Sequence, residues 1–168
     1  VVIAGSHGKT TITSMIMHVL RQVNYDFDFM VGSSVAGFEN NVKLSDAPII
    51  ILEGDEYLTS ALQKEPKFIH YRGNIAMLSG IAWDHINVFP TFEIYLDQFQ
   101  KLVDSLDKDA HFIYFNEDEN IQNLVANKRP DLTYIPYETP NYAVVKEQAV
   151  IDFEGKQFVL QVVGKHNL

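Results

Sequence analysis

The residues best equipped for chemistry stand near the start of the chain, in Gly5-Ser6-His7-Gly8-Lys9-Thr10-Thr11. Two glycines let a backbone turn tightly and point its N–H groups into one hollow. A lysine and a hydroxyl follow at once. That pairing suits a polyphosphate and its cation, with Lys9 on the outer phosphates and the Thr10 hydroxyl on Mg2+. The match to the general phosphate-loop pattern is partial: the place of its first glycine falls on Ile3, and the loop has Gly5 instead. Two further groups could share this chemistry. Glu53 ends an apolar run, where a carboxylate is costly unless it meets a cation or leaves the core. Asp84-His85 follows another apolar segment, residues 75–78. Each feature also has a plain reading: an ordinary strand-to-helix turn, a solvated acidic loop, a surface or core histidine. Taken together they point to one nucleotide–metal site.

For such groups to meet, they must lie at the carboxyl ends of strands in an open parallel sheet, where ligands of such sheets bind. The elements fit that requirement. Residues 1–4 are an apolar strand, and residues 12–23 carry Ile12, Met15, Ile16, Val19 and Leu20 on one face, as in a helix packed on a sheet. That helix aims its positive end at the glycine loop. Residues 27–31 read as a short strand and 33–46 as a polar loop with a hairpin. Residues 48–52 read as a strand buried on both faces. Residues 58–63 are expected to be a short helix, and 68–71 and 75–78 short strands. Residues 92–106 form an amphipathic helix with Tyr95, Phe99, Leu102 and Val103 on one side. A strand at 111–115, a helix at 119–127 and a strand at 132–135 follow. The pattern then changes to the alternation of half-buried strands at 142–145, 149–153 and 158–163, with Glu154-Gly155 as a turn. The fold class is therefore α/β. We expect a phosphate-loop type of mostly parallel sheet, with about six strands, helices on both faces, and a small antiparallel sheet near the C-terminus.

Composition narrows the function classes. The chain has 168 residues, of which 46% are hydrophobic, enough for one globular domain with a real core. A net charge of −9 without a basic run argues against a nucleic-acid partner. With no cysteine there is no disulfide framework and no thiolate chemistry. No apolar stretch is long enough to insert in a membrane. The chain begins inside a strand without methionine, and is expected to be part of something longer.

Beyond these patterns, the residues resemble a family. Gly5-Ser6-His7-Gly8-Lys9-Thr10-Thr11 is similar to the Gly-Thr-His-Gly-Lys-Thr-Thr loop of the Mur ligases. Glu53-Gly54-Asp55-Glu56-Tyr57 resembles the Glu-Ala-Asp-Glu-Tyr/Ser of one branch, and Asp84-His85-Ile86-Asn87-Val88-Phe89 its Asp-His-x-Asp-x-Phe/Tyr. Gly164-Lys165-His166-Asn167 resembles the Gly-x-His-Asn that opens the last helix of the family's central domain. The resemblance covers residues 1–168 as an ATP-binding central domain, with an N-terminal UDP-sugar domain and a C-terminal domain outside it. It implies a cytoplasmic ATP-dependent amide-bond ligase of peptidoglycan synthesis or recycling. The carboxylate of UDP-N-acetylmuramate would be activated as an acyl phosphate and taken by an amine. Phe68-Ile69-His70-Tyr71 is similar to the branch that adds the tripeptide L-Ala-γ-D-Glu-meso-diaminopimelate; the branch that adds L-alanine is the alternative.

The resemblance also implies roles. Gly5, Ser6, His7, Gly8 and Thr11 cradle the nucleotide with Lys9 and Thr10; Thr10 and Glu53 hold the first Mg2+; His85 lies at a second; Asn167 approaches the adenine. Lys9, Glu53 and His85 are the catalytic set. Lys9→Ala is expected to lose turnover with little loss of stability, and residues 1–168 alone to fold, bind nucleotide weakly and not catalyse. Gly80, Asn87 and Leu58 stand where the family commonly has Asn, Asp and Asp. Where some members carry a carbamoylated lysine this chain has Gln100, with Lys101 one along and about 100° away on a helix. Two rivals stay open. A GTPase or small kinase lacks support, since no Asn-Lys-x-Asp guanine reader and few arginines are present. A non-catalytic nucleotide-binding module would need only Lys9 and the loop.

Overall fold

Val2–Ala4 form β1, whose three residues are all buried. The computed structural model describes residues 1–161 apart from 61 and 64, and they divide into two units, one of Val1–Pro136 and one from Tyr137 onward. In the first unit, α1 (Lys9–Gln22) follows β1, then β2 (Asp28–Met30), β3 (Val42–Lys43), β4 (Ile50–Glu53) and β5 (Ile75–Leu78). The helix α2 (Phe92–Ser105), β6 (His111–Phe115), α3 (Glu119–Val125) and β7 (Thr133–Tyr137) complete it. The strand order is β3-β2-β4-β1-β5-β6-β7, which puts β1 in the middle of a 7-stranded sheet. β1 runs parallel to β4 and β5, β2 to β4, and β5 to β6; β3 turns back antiparallel on β2.

Alternation along β1 divides the core. Val2 and Ala4 join the cluster that holds Tyr95, Phe99 and Leu102 of α2 and Ile121 and Val125 of α3. Ile3 points the other way, into the cluster of Met17, Phe29 and Ile51. Helices therefore cover both faces, as the apolar runs require. Tyr95, Phe99, Leu102 and Val103 are all buried, as the spacing along α2 predicts, and Thr91 caps the helix by accepting from Ile94 N. On α1 the buried line is Thr13 and Met17, with Ile12, Ile16 and Leu20 partly buried against it. Val19 departs from the expectation and is 58% exposed.

Two expected elements are absent. Residues 58–63 form no helix where described: Leu58 bridges to Pro66, and Thr59 N donates to Glu65 O, closing a loop. Residues 68–71 are not a strand but a 3-10 turn, Lys67–Tyr71, entered from Pro66 at φ −65. Phe68 is fully buried there, with its ring 6.1 Å from that of Phe99. So short an aromatic run carries no periodicity with which to choose.

In the second unit, β8 (Tyr142–Val145), β9 (Gln148–Phe153) and β10 (Lys156–Leu160) form an antiparallel sheet in the order β10-β9-β8. Glu154 and Gly155 have φ 52 and 74, the positive pair that a two-residue hairpin turn demands. Lys146 and Glu147, at φ 50 and 67, make the same turn between β8 and β9 without a glycine. β10 ends at Leu160 and residue 161 is not strand, short of the expected 163; residues 162 and 163, and Asn167 with its motif, lie outside the described residues.

Candidate functional site

The glycine loop leaves β1 and enters α1 over Gly5 to Gly8, and its shape depends on both glycines. Gly5 has φ +139, and a Cβ there would collide with the Ser79 hydroxyl. Gly8 has φ +78 in open space, so its demand is purely conformational. Neighbours pin the loop from the side: Ser6 N donates to Gly80 O at 3.0 Å, and Ala82 N and the Tyr95 hydroxyl donate to Ser6 Oγ at 2.8 Å each. Gly80 thus supplies a backbone carbonyl to the loop. No side chain caps the first turn of α1, whereas Asp118 caps α3 through Asn120 N and Ile121 N. The open end of α1, with its partial positive charge, faces the loop. Thr11 is exposed in that first turn, and the His7 side chain is 72% exposed, with Nε2 3.7 Å from Asp84 Oδ2.

Glu53 ends β4 beside this turn. Its Oε1 accepts from the Thr10 hydroxyl at 2.8 Å and its Oε2 from Gly32 N at 3.0 Å. Two oxygens on adjacent corners of a Mg2+ octahedron, with bonds of about 2.1 Å, lie about 3 Å apart. The Thr10–Glu53 pair therefore fits that ion as neighbouring ligands. Among the described residues no group of three or more His, Asp or Glu side chains could hold a metal ion. A Mg2+ here would need phosphate and water oxygens for its remaining positions, its ordinary habit.

Lys9 and His85 meet at a carboxylate that the sequence reading does not single out. Lys9 Nζ donates to Gly5 O at 2.7 Å and to Glu56 Oε2 at 2.9 Å. His85 Nε2 lies 3.3 Å from Glu56 Oε1. Lys9, Thr10, Glu53 and His85 are thus brought together at the carboxyl ends of β1, β4 and β5, with Glu56 between them. The His85 ring is held on its other side by the Tyr57 hydroxyl, 2.8 Å from Nδ1. Its backbone sits at φ 55, a conformation non-glycine residues seldom adopt. Val88 N and Phe89 N both donate to His85 O, and Asp84 Oδ1 accepts from His85 N, which hold that conformation in place. An imidazole nitrogen is a poorer partner for Mg2+ than oxygen, so His85 fits a metal less well than the Thr10–Glu53 pair does.

Burial, and then the Glu56 charge, hold the Tyr95 phenol far above its ordinary value, so it stays a donor at any working pH. On the outer side, a cavity of about 440 Å³ is lined by Lys9, Glu53, Tyr57, Lys67, Tyr71 and His85, a size that admits small-molecule ligands. There the Asp55 carboxylate binds Lys67 Nζ at 2.7 Å and raises the Lys67 pKa. Gln100 and Lys101 point to other business: Gln100 binds Asp104 and Lys101 binds Asp97, both on the exposed side of α2. No described helix is long and apolar enough to cross a membrane.

The family described as Mur ligase middle domain matches residues 3–168. A UDP-N-acetylmuramate–L-alanine ligase of Clostridium botulinum (strain Langeland) is 31% identical over 183 aligned positions, covering 100% of this chain and 38% of that protein. A UDP-N-acetylmuramate–L-alanyl-gamma-D-glutamyl-meso-2,6-diaminoheptandioate ligase of Haemophilus influenzae is 34% identical over 101 positions, covering 60% of this chain and 22% of that protein. The crystal structure of the corresponding meso-diaminopimelate ligase from Neisseria meningitides superposes with a TM-score of 0.85 at 24% identity, covering 99% of this chain and 56% of that one. At that identity the superposition establishes the fold. The chain spans 38% of the length of the curated relative it matches throughout.

Proposed function

The chain belongs to the Mur ligase family of ATP-dependent ligases, as a middle domain, and from that premise we propose that it holds Mg-ATP for the ligation of an amine to UDP-N-acetylmuramate. The observation that carries the reading is the convergence of Lys9, Thr10, Glu53 and His85 around the glycine loop. The loop backbone and the open end of α1 bind the phosphates. Lys9 exchanges its Glu56 contact for the outer phosphates and stabilises the charge that develops as the phosphoryl group moves to the sugar's carboxylate. Thr10 and Glu53 would hold Mg2+, which neutralises phosphate charge when bound. His85 stands on the far side of Glu56, facing the cavity in which an acyl acceptor can approach; with its ring nitrogens on Glu56 and Tyr57, it would have to leave one of them to meet the second ion that the resemblance implies.

Catalysis is assigned to the whole protein. The UDP-sugar and the amine would be presented by domains outside residues 1–168, and closure would bring the groups into attack geometry and exclude water. The setting is cytoplasmic, in peptidoglycan synthesis or recycling. For the amine we favour the tripeptide L-Ala-γ-D-Glu-meso-diaminopimelate, a preference that rests on the likeness at residues 68–71. The match to an L-alanine ligase along the whole chain favours L-alanine as the second reading.

The test is release of ADP and phosphate by the whole protein, supplied with Mg-ATP, UDP-N-acetylmuramate and either amine. Release that needs both the sugar nucleotide and the tripeptide is expected. Release with L-alanine alone selects the second reading. Nucleotide binding without release under any combination leaves a non-catalytic phosphate-loop module.

A further inference from the structure

Glu56 is a carboxylate with no exposure at all, between the half-buried Asp55 and Tyr57. A buried carboxylate is costly unless its oxygens are engaged, and here both are. Oε2 takes Lys9 Nζ at 2.9 Å; Oε1 lies 3.3 Å from His85 Nε2 and accepts from the Tyr95 hydroxyl at 3.3 Å. That hydroxyl also lies 2.8 Å from Ser6 Oγ, so its one proton is shared between the two oxygens. One side chain therefore touches the phosphate loop through Lys9, the Asp84-His85 loop through its histidine, and α2 through Tyr95. The loop that carries it is built to aim it inward. Asp55 Oδ1 accepts from Tyr57 N, Phe68 N donates to Asp55 O, and Lys67 N donates to Tyr57 O, which fix the backbone on either side.

We propose that Glu56 is a positioning residue of this site. It aligns the Lys9 ammonium with the His85 ring before substrate arrives, and it yields Lys9 to the incoming phosphates while keeping His85. The inference rests on the reading of the site as one for Mg-ATP. Two consequences follow from the geometry. Glu56 competes with phosphate for Lys9, so its charge opposes nucleotide binding. It also holds His85 between two contacts, Oε1 on one nitrogen and the Tyr57 hydroxyl on the other, so its loss lets the ring swing and slows the chemical step. Turnover should fall while affinity holds or rises, which a merely structural carboxylate would not cause.

The experiment uses the whole protein and compares wild type with Glu56→Gln, which keeps the shape and removes the charge. Calorimetry gives the Kd for Mg-ATP, and steady-state ligation gives kcat and KM. The expected result is a kcat lower by about tenfold or more with a Kd for Mg-ATP equal to or below that of wild type. A kcat within about twofold of wild type, or a Kd that rises in step with the fall in kcat, overturns the proposal. Should Glu56→Gln not fold, Tyr95→Phe keeps the buried ring and the carboxylate but removes the hydroxyl on Oε1. It should lower kcat by about threefold without weakening Mg-ATP, and an unchanged kcat overturns the proposal. Wild type that fails to bind Mg-ATP overturns the functional reading itself, whereas wild type that binds and turns over beside an indifferent Glu56→Gln overturns this inference alone.

Discussion

The Thr10 hydroxyl donates to Glu53 Oε1 across 2.8 Å, tying the first turn of α1 to the end of β4. On the reading proposed above, both oxygens would serve as ligands of a bound Mg2+, so the pair would act mainly on the ion. Thr10→Ala and Glu53→Gln should each raise the Mg2+ concentration for half-maximal activity by about tenfold or more. Both groups are only partly buried, so the unfolding midpoint should move little. A Mg2+ titration of ligation checks this, and an unchanged Mg2+ dependence in both variants would remove them from the metal.

The buried Lys9–Glu56 pair revises one expectation from the sequence. Lys9→Ala should still lower turnover by about 10²–10³-fold, but it also strands a carboxylate with no exposure. Breaking a buried pair from one side costs about 3–5 kcal/mol. The low end applies here, because the Lys9 side chain is 15% exposed. The double variant Lys9→Ala/Glu56→Gln should recover most of that loss. Urea unfolding of the three proteins decides it: equal stability of the single and double variants would mean that the pair carries no such coupling.

The two loop glycines should respond differently to alanine. At Gly5 the new methyl meets Ser79 and the φ is forbidden to it, so the loop must shift and nucleotide binding should collapse. At Gly8 only the left-handed backbone opposes the change, costing about 1 kcal/mol. Comparing Mg-ATP affinity and unfolding midpoints of the two variants tests the ranking, and a harsher effect at Gly8 would contradict it.

What the sequence discloses, and what it hides, follows from how local each determinant is. β1, α1, β5, α2 and the hairpin at Glu154-Gly155 rest on apolar runs, 3.6-residue spacing or turn chemistry, which neighbours in the chain suffice to fix. The turn at Lys146-Glu147 carries no glycine and so gives no such signal. The 3-10 turn Lys67–Tyr71 and the loop at Leu58 depend on Phe68 meeting Phe99 and Leu58 meeting Pro66, contacts that no local pattern displays. Lys9, Thr10 and Glu53 stand where a strand or helix begins or ends, and His85 in the loop after β5, so the order of elements suffices to expect them near one another. Glu56 is not legible in this way, since an acidic residue in an acidic loop reads as solvated. Its only sign is its place beside Tyr57 in a stretch, residues 53–57, that resembles a motif of the family.

Asp28 offers a test by pH. Its carboxylate accepts from Ser45 N and Ser45 Oγ, at 2.7 Å each. The Ser45 backbone bond holds its pKa below the ordinary carboxylate value, with the Ser45 hydroxyl and Lys43 assisting against burial. A pKa lowered by folding means stability that is complete above the unfolded value of about 3.9 and is lost as pH falls through the folded one. Asp28→Asn should therefore destabilise the protein at pH 6 and matter less at pH 3. Thermal unfolding at the two values checks the sign, and a larger effect of the substitution at pH 3 would contradict the assignment.

The central claim is that Lys9 and its loop hold the phosphates of a metal-bound nucleotide. Calorimetric titration of the whole protein with ATP, with and without Mg2+, beside the Lys9→Ala variant, tests it most directly. The account predicts saturable binding of one nucleotide that requires Mg2+ and weakens by about tenfold or more in Lys9→Ala. No binding with Mg2+ present, or equal affinity in wild type and Lys9→Ala, would contradict it.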